Sequence, residues 1–114
     1  MKLIEAIIDP DRLDAVQEEL GKVEVFRLTV SDVEGYALNP SESQARAAHS
    51  HPVSVSRKIK LEIAVNENFV EPTLQAIIRG ARLDAGPAGG GKVFILPLDN
   101  AIRIRTGEQG SEAI

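Results

Sequence analysis

The most constraining feature of the sequence is an eight-residue segment in which apolar side chains occupy every second position. Residues 58–65 run Lys-Ile-Lys-Leu-Glu-Ile-Ala-Val, so the four aliphatic side chains at the odd positions share one face of a β-strand. Lysine, glutamate and Ala64 occupy the other face. A helix would scatter these positions around its axis, so the segment predicts a sheet with one apolar face.

Other segments flank this strand in a regular order. An apolar run over residues 3–8 predicts a buried strand that ends at Asp9-Pro10, and a helix follows as far as Gly21. A second strand is predicted over 23–33, ending at Gly35. A second helix carries an apolar stripe over 70–81 and tolerates Pro72 because this residue falls in its first turn. Two further strands are predicted at residues 93–96 and 102–105.

This order of elements favours one architecture. Two β-α-β units joined by a loop predict an α+β, ferredoxin-like βαββαβ sandwich formed by a single domain, residues 1–114. The two helices would cover one face of the sheet. The strands are too apolar to leave the opposite face in water, so we expect a trimer or another oligomer to cover it.

Composition excludes several classes of function. The 114 residues include no cysteine, which rules out disulfides, thiol catalysis and thiolate metal sites. A net charge of −4 with one tyrosine, three phenylalanines and no tryptophan argues against binding to nucleic acid. No apolar run has the ~18 residues that a membrane span needs. We therefore expect a cytoplasmic protein that is not embedded in a membrane.

A glycine-rich loop, residues 84–92, precedes the fourth strand. Its Gly89-Gly90-Gly91-Lys92 stretch could direct backbone N–H groups and one cation at a phosphate, or it could be only a flexible connection. It is not the P-loop of a nucleotide hydrolase, because Val93 stands where a serine or threonine would hold magnesium and the loop leads from helix into strand.

Two arginines in the C-terminal segment, residues 102–114, indicate a second cationic feature. On a strand, Arg103 and Arg105 project to the same face and repel each other unless an anion lies between them. Ion pairs with Glu108 or Glu112 are the alternative. Together with the glycine-rich loop, the pair favours an anion-binding site.

A long loop, residues 36–56, connects the second and third strands. Loops of this length in a small domain are usually either functional or disordered. Its His49 and His51 could share a metal ion, which makes a trimeric divalent-cation-binding protein of related fold the alternative hypothesis, although no third ligand has suitable spacing. No general base stands out, so the sequence does not predict an enzyme.

With these features placed, the sequence resembles the PII signal-transduction family nearly from end to end. The similarity is strongest in the C-terminal segment, Ile-Arg-Ile-Arg-Thr-Gly-Glu over residues 102–108. Further matching pieces are Ala6-Ile7-Ile8 before Pro10, Thr29-Val30 with Gly35, Lys58 to Ile63, and Gly89 to Phe94. The resemblance implies a homotrimer of ferredoxin-like subunits that binds ATP or ADP in clefts between subunits. A long protruding loop would bind a transporter, an enzyme or a regulator, in nitrogen or inorganic-carbon metabolism.

The resemblance also assigns roles to individual residues. It places Gly89, Gly90, Gly91 and Lys92 in the phosphate loop, and it makes Arg103 and Arg105 the arginines that reach the phosphates from the neighbouring subunit. Thr29 and Gly35 would line the nucleotide cleft, Ala64 would lie beside the base, and Lys58 matches a lysine that helps to hold 2-oxoglutarate.

Three departures from the family pattern affect the expected ligands. Ala37-Leu38-Asn39 replaces Gly-Arg-Gln, and the glutamine contacts both magnesium and 2-oxoglutarate in the family. Because Asn39 is shorter, we expect magnesium to matter less and ADP or AMP to bind as well as ATP. His51 stands where the family has a modified tyrosine. The phosphate loop is about two residues longer than usual, with Leu83-Asp84-Ala85 in place of Thr-Gly.

Overall fold

The computed structural model describes residues 1–38, 53–82 and 91–114. Four strands form one antiparallel sheet in the order β2-β3-β1-β4, and two helices pack on one of its faces. The strands are β1 (Lys2–Ile8), β2 (Thr29–Leu38), β3 (Val53–Val65) and β4 (Gly91–Pro97); the helices are α1 (Leu13–Lys22) and α2 (Glu67–Arg82). This is the predicted ferredoxin-like α+β sandwich. Short 3-10 turns at Pro10–Arg12 and Gly110–Ala113 precede α1 and the C-terminus.

The core lies between the helices and one face of the sheet. The alternating residues of β3 that the sequence placed on its apolar face are all buried, and so is every second residue of β1. Opposite them, α1 buries Val16 and Leu20, and α2 buries Ala76 and Ile77. Gly80 of α2 lies against Val16, so the two helices approach each other closely at this point.

Helix α2 begins earlier than the sequence predicted. Because it starts at Glu67, Pro72 lies in its second turn and not in its first, and this proline removes one backbone hydrogen bond inside the helix. The buried residues of α2 are mostly small, and Ile77 is the largest of them: Thr73, Ala76, Ile77, Gly80 and Ala81. In the part of the chain that the structure describes, no helix is both long and apolar enough to cross a bilayer.

The second strand differs from the prediction at both ends. It begins at Thr29 and not at Val23, because the chain turns at Glu24, which has a φ of 63°, and the amide of Val25 donates to the Leu20 carbonyl 3.0 Å away. Val25 is buried in the core without belonging to a strand. The loosely alternating apolar residues over 23–28 therefore mark core packing and not sheet.

Strands β2 and β3 form a hairpin that extends beyond the rest of the sheet. Their ladder continues to the pair Leu38–Val53, whereas β1 accompanies β3 only as far as Ile59. Residues 36–38 and 53–56 are therefore strand, which corrects the predicted loop over 36–56. Residues 39–52 lie outside the described part.

The face of the sheet opposite the helices combines apolar and charged side chains. Phe94 of β4 pairs with Glu5, and Leu96 pairs with Leu3; these two side chains of β4 are 47% and 38% exposed. Lys60 lies between two carboxylates, with Nζ 3.6 Å from Glu5 Oε1 and 3.8 Å from Glu62 Oε1. We call this surface the open face.

Candidate functional site

Gly91 and Lys92, predicted in a phosphate loop, form the first two residues of β4. Gly91 pairs with Ile8 and Lys92 with Ile7, so Lys92 projects from the open face together with Ile7. Gly91 has a φ of +148°, and a β-carbon on it would collide with the Ile7 carbonyl oxygen. Only glycine fits at the start of this strand, directly before the lysine.

Lys58 lies at the same end of the sheet as Lys92. Its Nζ donates a hydrogen bond to Asp9 Oδ1, and the two side chains are 27% and 26% exposed. Asp9 directly follows the end of β1, so this ion pair lies beyond the Ile8–Gly91 pair. Gly35 lies against it: a β-carbon at residue 35 would be 3.6 Å from Lys58 Cγ. We call the group Gly35, Lys58, Gly91 and Lys92 the lysine cluster.

Thr29 and Ala64, predicted to lie in the nucleotide cleft and beside the base, line one cleft together. This cleft has a volume of about 430 Å³ and is bounded by Phe26, Arg27, Leu28, Thr29, Glu62, Ala64, Ala113 and Ile114. We call it the Thr29 cleft. An adjoining cavity of about 240 Å³ shares Ala64 and Ile114 with it and extends to Phe69. The C-terminus of the chain therefore forms one wall of both.

The Thr29 cleft contains residues that the sequence reasoning missed. Glu62 pairs directly with Thr29 across the two strands, and its position on the polar face of the alternating segment was the available signal. Ile114 carries no periodicity that could have identified it. Asn66 holds the C-terminal segment in place, because its Nδ2 donates to the Ser111 carbonyl oxygen at 3.2 Å.

Arg103 and Arg105 lie on a turn, so the predicted fifth strand over 102–105 is wrong. Only Ile102 makes a strand-like bridge, to Gln109, and the amide of Gly107 donates to the Arg103 carbonyl 2.7 Å away. The turn closes because Gly107 adopts a φ of +76°. The rule that places alternate strand residues on one face therefore does not apply to the two arginines.

The side chain of Arg103 contacts the C-terminal segment. Its Nη2 donates to the Glu112 carbonyl oxygen at 3.3 Å, and its Nη1 lies 4.0 Å from Glu108 Oε1. Arg105 is exposed. The ion pair with Glu108 that the sequence offered as an alternative is thus present for Arg103, and this side chain links the turn to the wall of the Thr29 cleft.

One polar contact lies farther out on the β2–β3 hairpin. The Tyr36 hydroxyl donates to Glu34 Oε2 at 2.6 Å, and this hydrogen bond, with a smaller contribution from desolvation, raises the pKa of Tyr36 above its usual 10.0. Tyr36 is 67% exposed. The hydrogen bond holds a large aromatic side chain on the part of the hairpin that extends past β1.

Some of the predicted site residues belong to the ranges 39–52 and 83–90. Gly89 and Gly90 of the phosphate loop, Asn39, and the histidines His49 and His51 lie outside the described residues. Within the described ranges, no group of three or more histidines, aspartates or glutamates could hold a metal ion.

The lysine cluster and the Thr29 cleft are separated within one subunit. Thr29 lies on one edge strand and Lys92 on the other, with two strands between them, which corresponds to about 14 Å at the usual strand spacing. Lys58 and Ala64 are six residues apart on β3, or about 20 Å along an extended chain. The lysine cluster and the Thr29 cleft are therefore two separate features of one subunit.

Comparison with known proteins identifies relatives of the whole chain. Residues 1–108 match the family described as nitrogen regulatory protein P-II. The chain is 52% identical over 114 residues to nitrogen regulatory protein GlnK1 of Methanosarcina mazei, which covers 100% of this chain and 97% of the relative. It is 40% identical to nitrogen regulatory protein P-II of Rhizobium etli, over the full length of both proteins (100% of each).

Solved structures agree with this relationship. The GlnK–ATP complex of B. subtilis superposes with a TM-score of 0.82 at 32% identity, covering 99% of this chain and 94% of that one. The PII protein of Arabidopsis thaliana bound to citrate gives a TM-score of 0.78 at 36% identity, with 99% and 91% covered. The chain therefore belongs to the nitrogen regulatory protein P-II family, whose members are regulatory signalling proteins and not enzymes.

Proposed function

We propose that this chain is a cytoplasmic, homotrimeric regulator that binds ATP, ADP or AMP in clefts between its subunits. The lysine cluster of one subunit and the Thr29 cleft of its neighbour would form each site, with Gly89 and Gly90 completing the phosphate loop. Arg103 and Arg105 would approach the phosphates from the neighbour. Nucleotide occupancy would control a transporter, an enzyme or another regulator through the segment 36–56, in nitrogen or inorganic-carbon metabolism.

The separation of the lysine cluster and the Thr29 cleft is the observation that carries this proposal. Lys92 supplies a cation beside a glycine that lets the backbone approach a ligand closely, which suits a phosphate group. The Thr29 cleft combines the apolar side chains of Phe26, Ala64 and Ile114 with polar ones, Arg27, Thr29 and Glu62, which suits a planar base that carries hydrogen-bonding groups. Because these features lie on opposite edges of the sheet in one chain, a nucleotide between two subunits could contact the lysine cluster of one and the Thr29 cleft of the other. The ATP complex of the B. subtilis relative supports the choice of ligand.

The exposed apolar residues support the trimer. Phe94 and Leu96 lie uncovered on the open face, and Ile95 of the same strand is 49% exposed on the other side. In the C-terminal turn, Ile104 is 100% exposed. Large apolar side chains exposed in this number are expected to pack against another protein surface, and identical subunits around a symmetry axis provide one.

The shape of the hairpin supports a role in partner binding. Beyond Ile59, strands β2 and β3 continue without β1 beside them. Tyr36 and Val55 are 67% and 55% exposed on this extension. An extended pair of strands with exposed apolar and aromatic side chains is suited to docking against another protein.

Subunit mixing tests whether each site spans two chains. Lys92→Gln removes a cation from one side of the proposed site, and Arg105→Gln removes one from the other; each variant alone should bind ATP at least tenfold more weakly, since a charge-assisted contact is worth about 1.5–3 kcal/mol. When the two variants are unfolded together and reassembled, random assortment should restore full affinity at about one cleft in four. Each Lys92→Gln subunit then supplies its intact arginine to a neighbour that has an intact lysine.

Calorimetric titration with ATP, ADP and AMP, with and without magnesium, measures the number of restored sites. Mixed trimers that regain no tight sites would show that both side chains act within one subunit or that neither contacts the nucleotide. An Asp99→Asn variant provides a control for a change of one charge in the segment after β4. It should bind nucleotide as the unchanged protein does.

A further inference from the structure

Asp9 directs its carboxylate at Lys58 and not at the helix that it precedes. An aspartate immediately before a helical turn usually accepts a hydrogen bond from the backbone of that turn. Asp9 occupies this position before Pro10–Arg12, yet its side chain makes no capping hydrogen bond. It accepts one from Lys58 instead, 49 residues away in the sequence.

The location of this ion pair gives it more weight than a surface pair. Both side chains are about three-quarters buried, so solvent screens the charge of the lysine only partly. Gly35 lies beside the lysine, since a β-carbon at residue 35 would be 3.6 Å from Lys58 Cγ. Lys58 would attract an anion at this position if Asp9 did not already neutralise it.

The partner of Lys58 is chemically the same group that a carboxylate metabolite would offer. A carboxylate attached to the same chain competes at an effective concentration in the millimolar range or above. A free metabolite must therefore displace Asp9 before it can bind, and the displaced carboxylate would remain nearby and repel it. Lys92 lies on a different strand, so a phosphate group can still use its charge.

We propose that Asp9 is a specificity-determining residue that neutralises Lys58 and so excludes free dicarboxylates from this lysine. This inference rests on the proposed function, because it treats Lys58 as part of the nucleotide cleft. It predicts a regulator whose state follows the nucleotide alone. Removing one carboxylate would then make it responsive to a dicarboxylate as well.

The test uses Asp9→Asn, with Asp11→Asn as the matched control. Asp11 is two residues away with its side chain 79% exposed, and it lies near Arg12 and not Lys58, so its removal changes the net charge equally. Each trimer is saturated with ATP and magnesium and titrated calorimetrically with 2-oxoglutarate as the probe. We expect Asp9→Asn to bind the probe at least tenfold more tightly than either the unchanged protein or Asp11→Asn. The double variant Asp9→Asn, Lys58→Gln should lose this gain.

Equal affinities in Asp9→Asn and the unchanged protein would overturn the proposal, and so would a gain that persists in the double variant. Failure of the unchanged protein to bind ATP would instead overturn the proposed function. In that event the same titration without nucleotide still shows whether Asp9 excludes the probe, because the tighter binding of 2-oxoglutarate in Asp9→Asn is expected to come from Lys58 itself.

A second measurement needs no ligand. Brief acylation of lysine amines, followed by mass spectrometry of the peptides, reports how available Lys58 is in the nucleotide-free protein. Labelling of Lys58 should rise several-fold in Asp9→Asn and stay unchanged in Asp11→Asn. Equal labelling in all three proteins would show that Asp9 does not protect the lysine in solution, and the proposal would fall.

Discussion

The carbonyl oxygen of Ile7 occupies the space where a side chain on Gly91 would begin, well inside the 3.0 Å that β-carbons keep from other atoms. Gly91→Ala should therefore destabilise the protein by about 2 kcal/mol or more, because the start of β4 must move away from β1. Gly107→Ala is the control. Gly107 also has a positive φ, of +76°, but an added β-carbon would meet nothing within 4 Å. Urea unfolding of both variants separates the steric clash from backbone strain, and equal losses would contradict the clash.

Substitutions of Gly80 and Gly21 should change stability in opposite directions, because only Gly80 lies where the two helices approach each other closely. A β-carbon on Gly80 would lie 2.6 Å from Val16 Cα, whereas one on Gly21 would have Phe26 Cε1 at 4.0 Å as its nearest neighbour. Gly80→Ala should cost about 1–3 kcal/mol of stability through overpacking. Gly21→Ala should be neutral or stabilising by up to about 1 kcal/mol, because alanine favours helix. Thermal unfolding checks both, and a stable Gly80→Ala variant would show that the helices separate easily.

Thr73 is fully buried on α2, and within the described residues its hydroxyl oxygen has no hydrogen-bond partner. Thr73→Val keeps the shape and removes the unpaired polar group, so we expect stability to rise by about 1 kcal/mol. Thr73→Ser is the control, since it keeps the hydroxyl and loses a buried methyl group, and it should lower stability. Chemical denaturation measures both. A loss of stability in Thr73→Val would indicate that the hydroxyl has a partner in solution.

Tyr36 should ionise at a higher pH than an ordinary tyrosine, because its hydrogen bond to Glu34 stabilises the protonated phenol. The pKa is raised in the folded state, so the contribution of this bond to stability is present below about 10 and is lost as the pH rises through the folded-state pKa. The sequence has one tyrosine and no tryptophan, so tyrosinate absorbance during a pH titration reports this residue alone. Glu34→Gln should bring the pKa back towards its usual value; an unchanged titration would exclude the contact.

The sequence predicted the central strands well because their periodicity reflects burial. Every odd residue from Ile59 to Val65 faces the core, and this pattern alone identified β3. The outer part of the hairpin gives no such signal. Tyr36, Ala37, Val55 and Ser56 are exposed, so no buried face distinguishes strand from loop in this part of the sequence.

The C-terminal segment shows the opposite error. Ile102 to Arg105 alternates as a strand would, and this alternation predicted a fifth strand. Ile104 is 100% exposed and the chain turns there, because no neighbouring strand pairs with this segment beyond the single bridge at Ile102. Thr29 and Lys92 could both be listed as candidate residues from the sequence. The distance between them could not be predicted, because that distance depends on which strands lie at the edges of the sheet.

The continuous ladder from Thr29–Glu62 to Leu38–Val53 can also transmit a movement along its length. A hydrogen-bonded pair of strands bends less readily than a free loop, so a tilt imposed at its Leu38–Val53 end is transmitted to the residues where the pair extends past β1. Gly35 and Lys58 lie at that point. A protein that bound at the Leu38–Val53 end and a ligand that bound beside Lys58 would therefore contact the same pair of strands. Any coupling between these two binding events must be reciprocal. The partner would then change the affinity for nucleotide by the same factor as nucleotide changes the affinity for the partner.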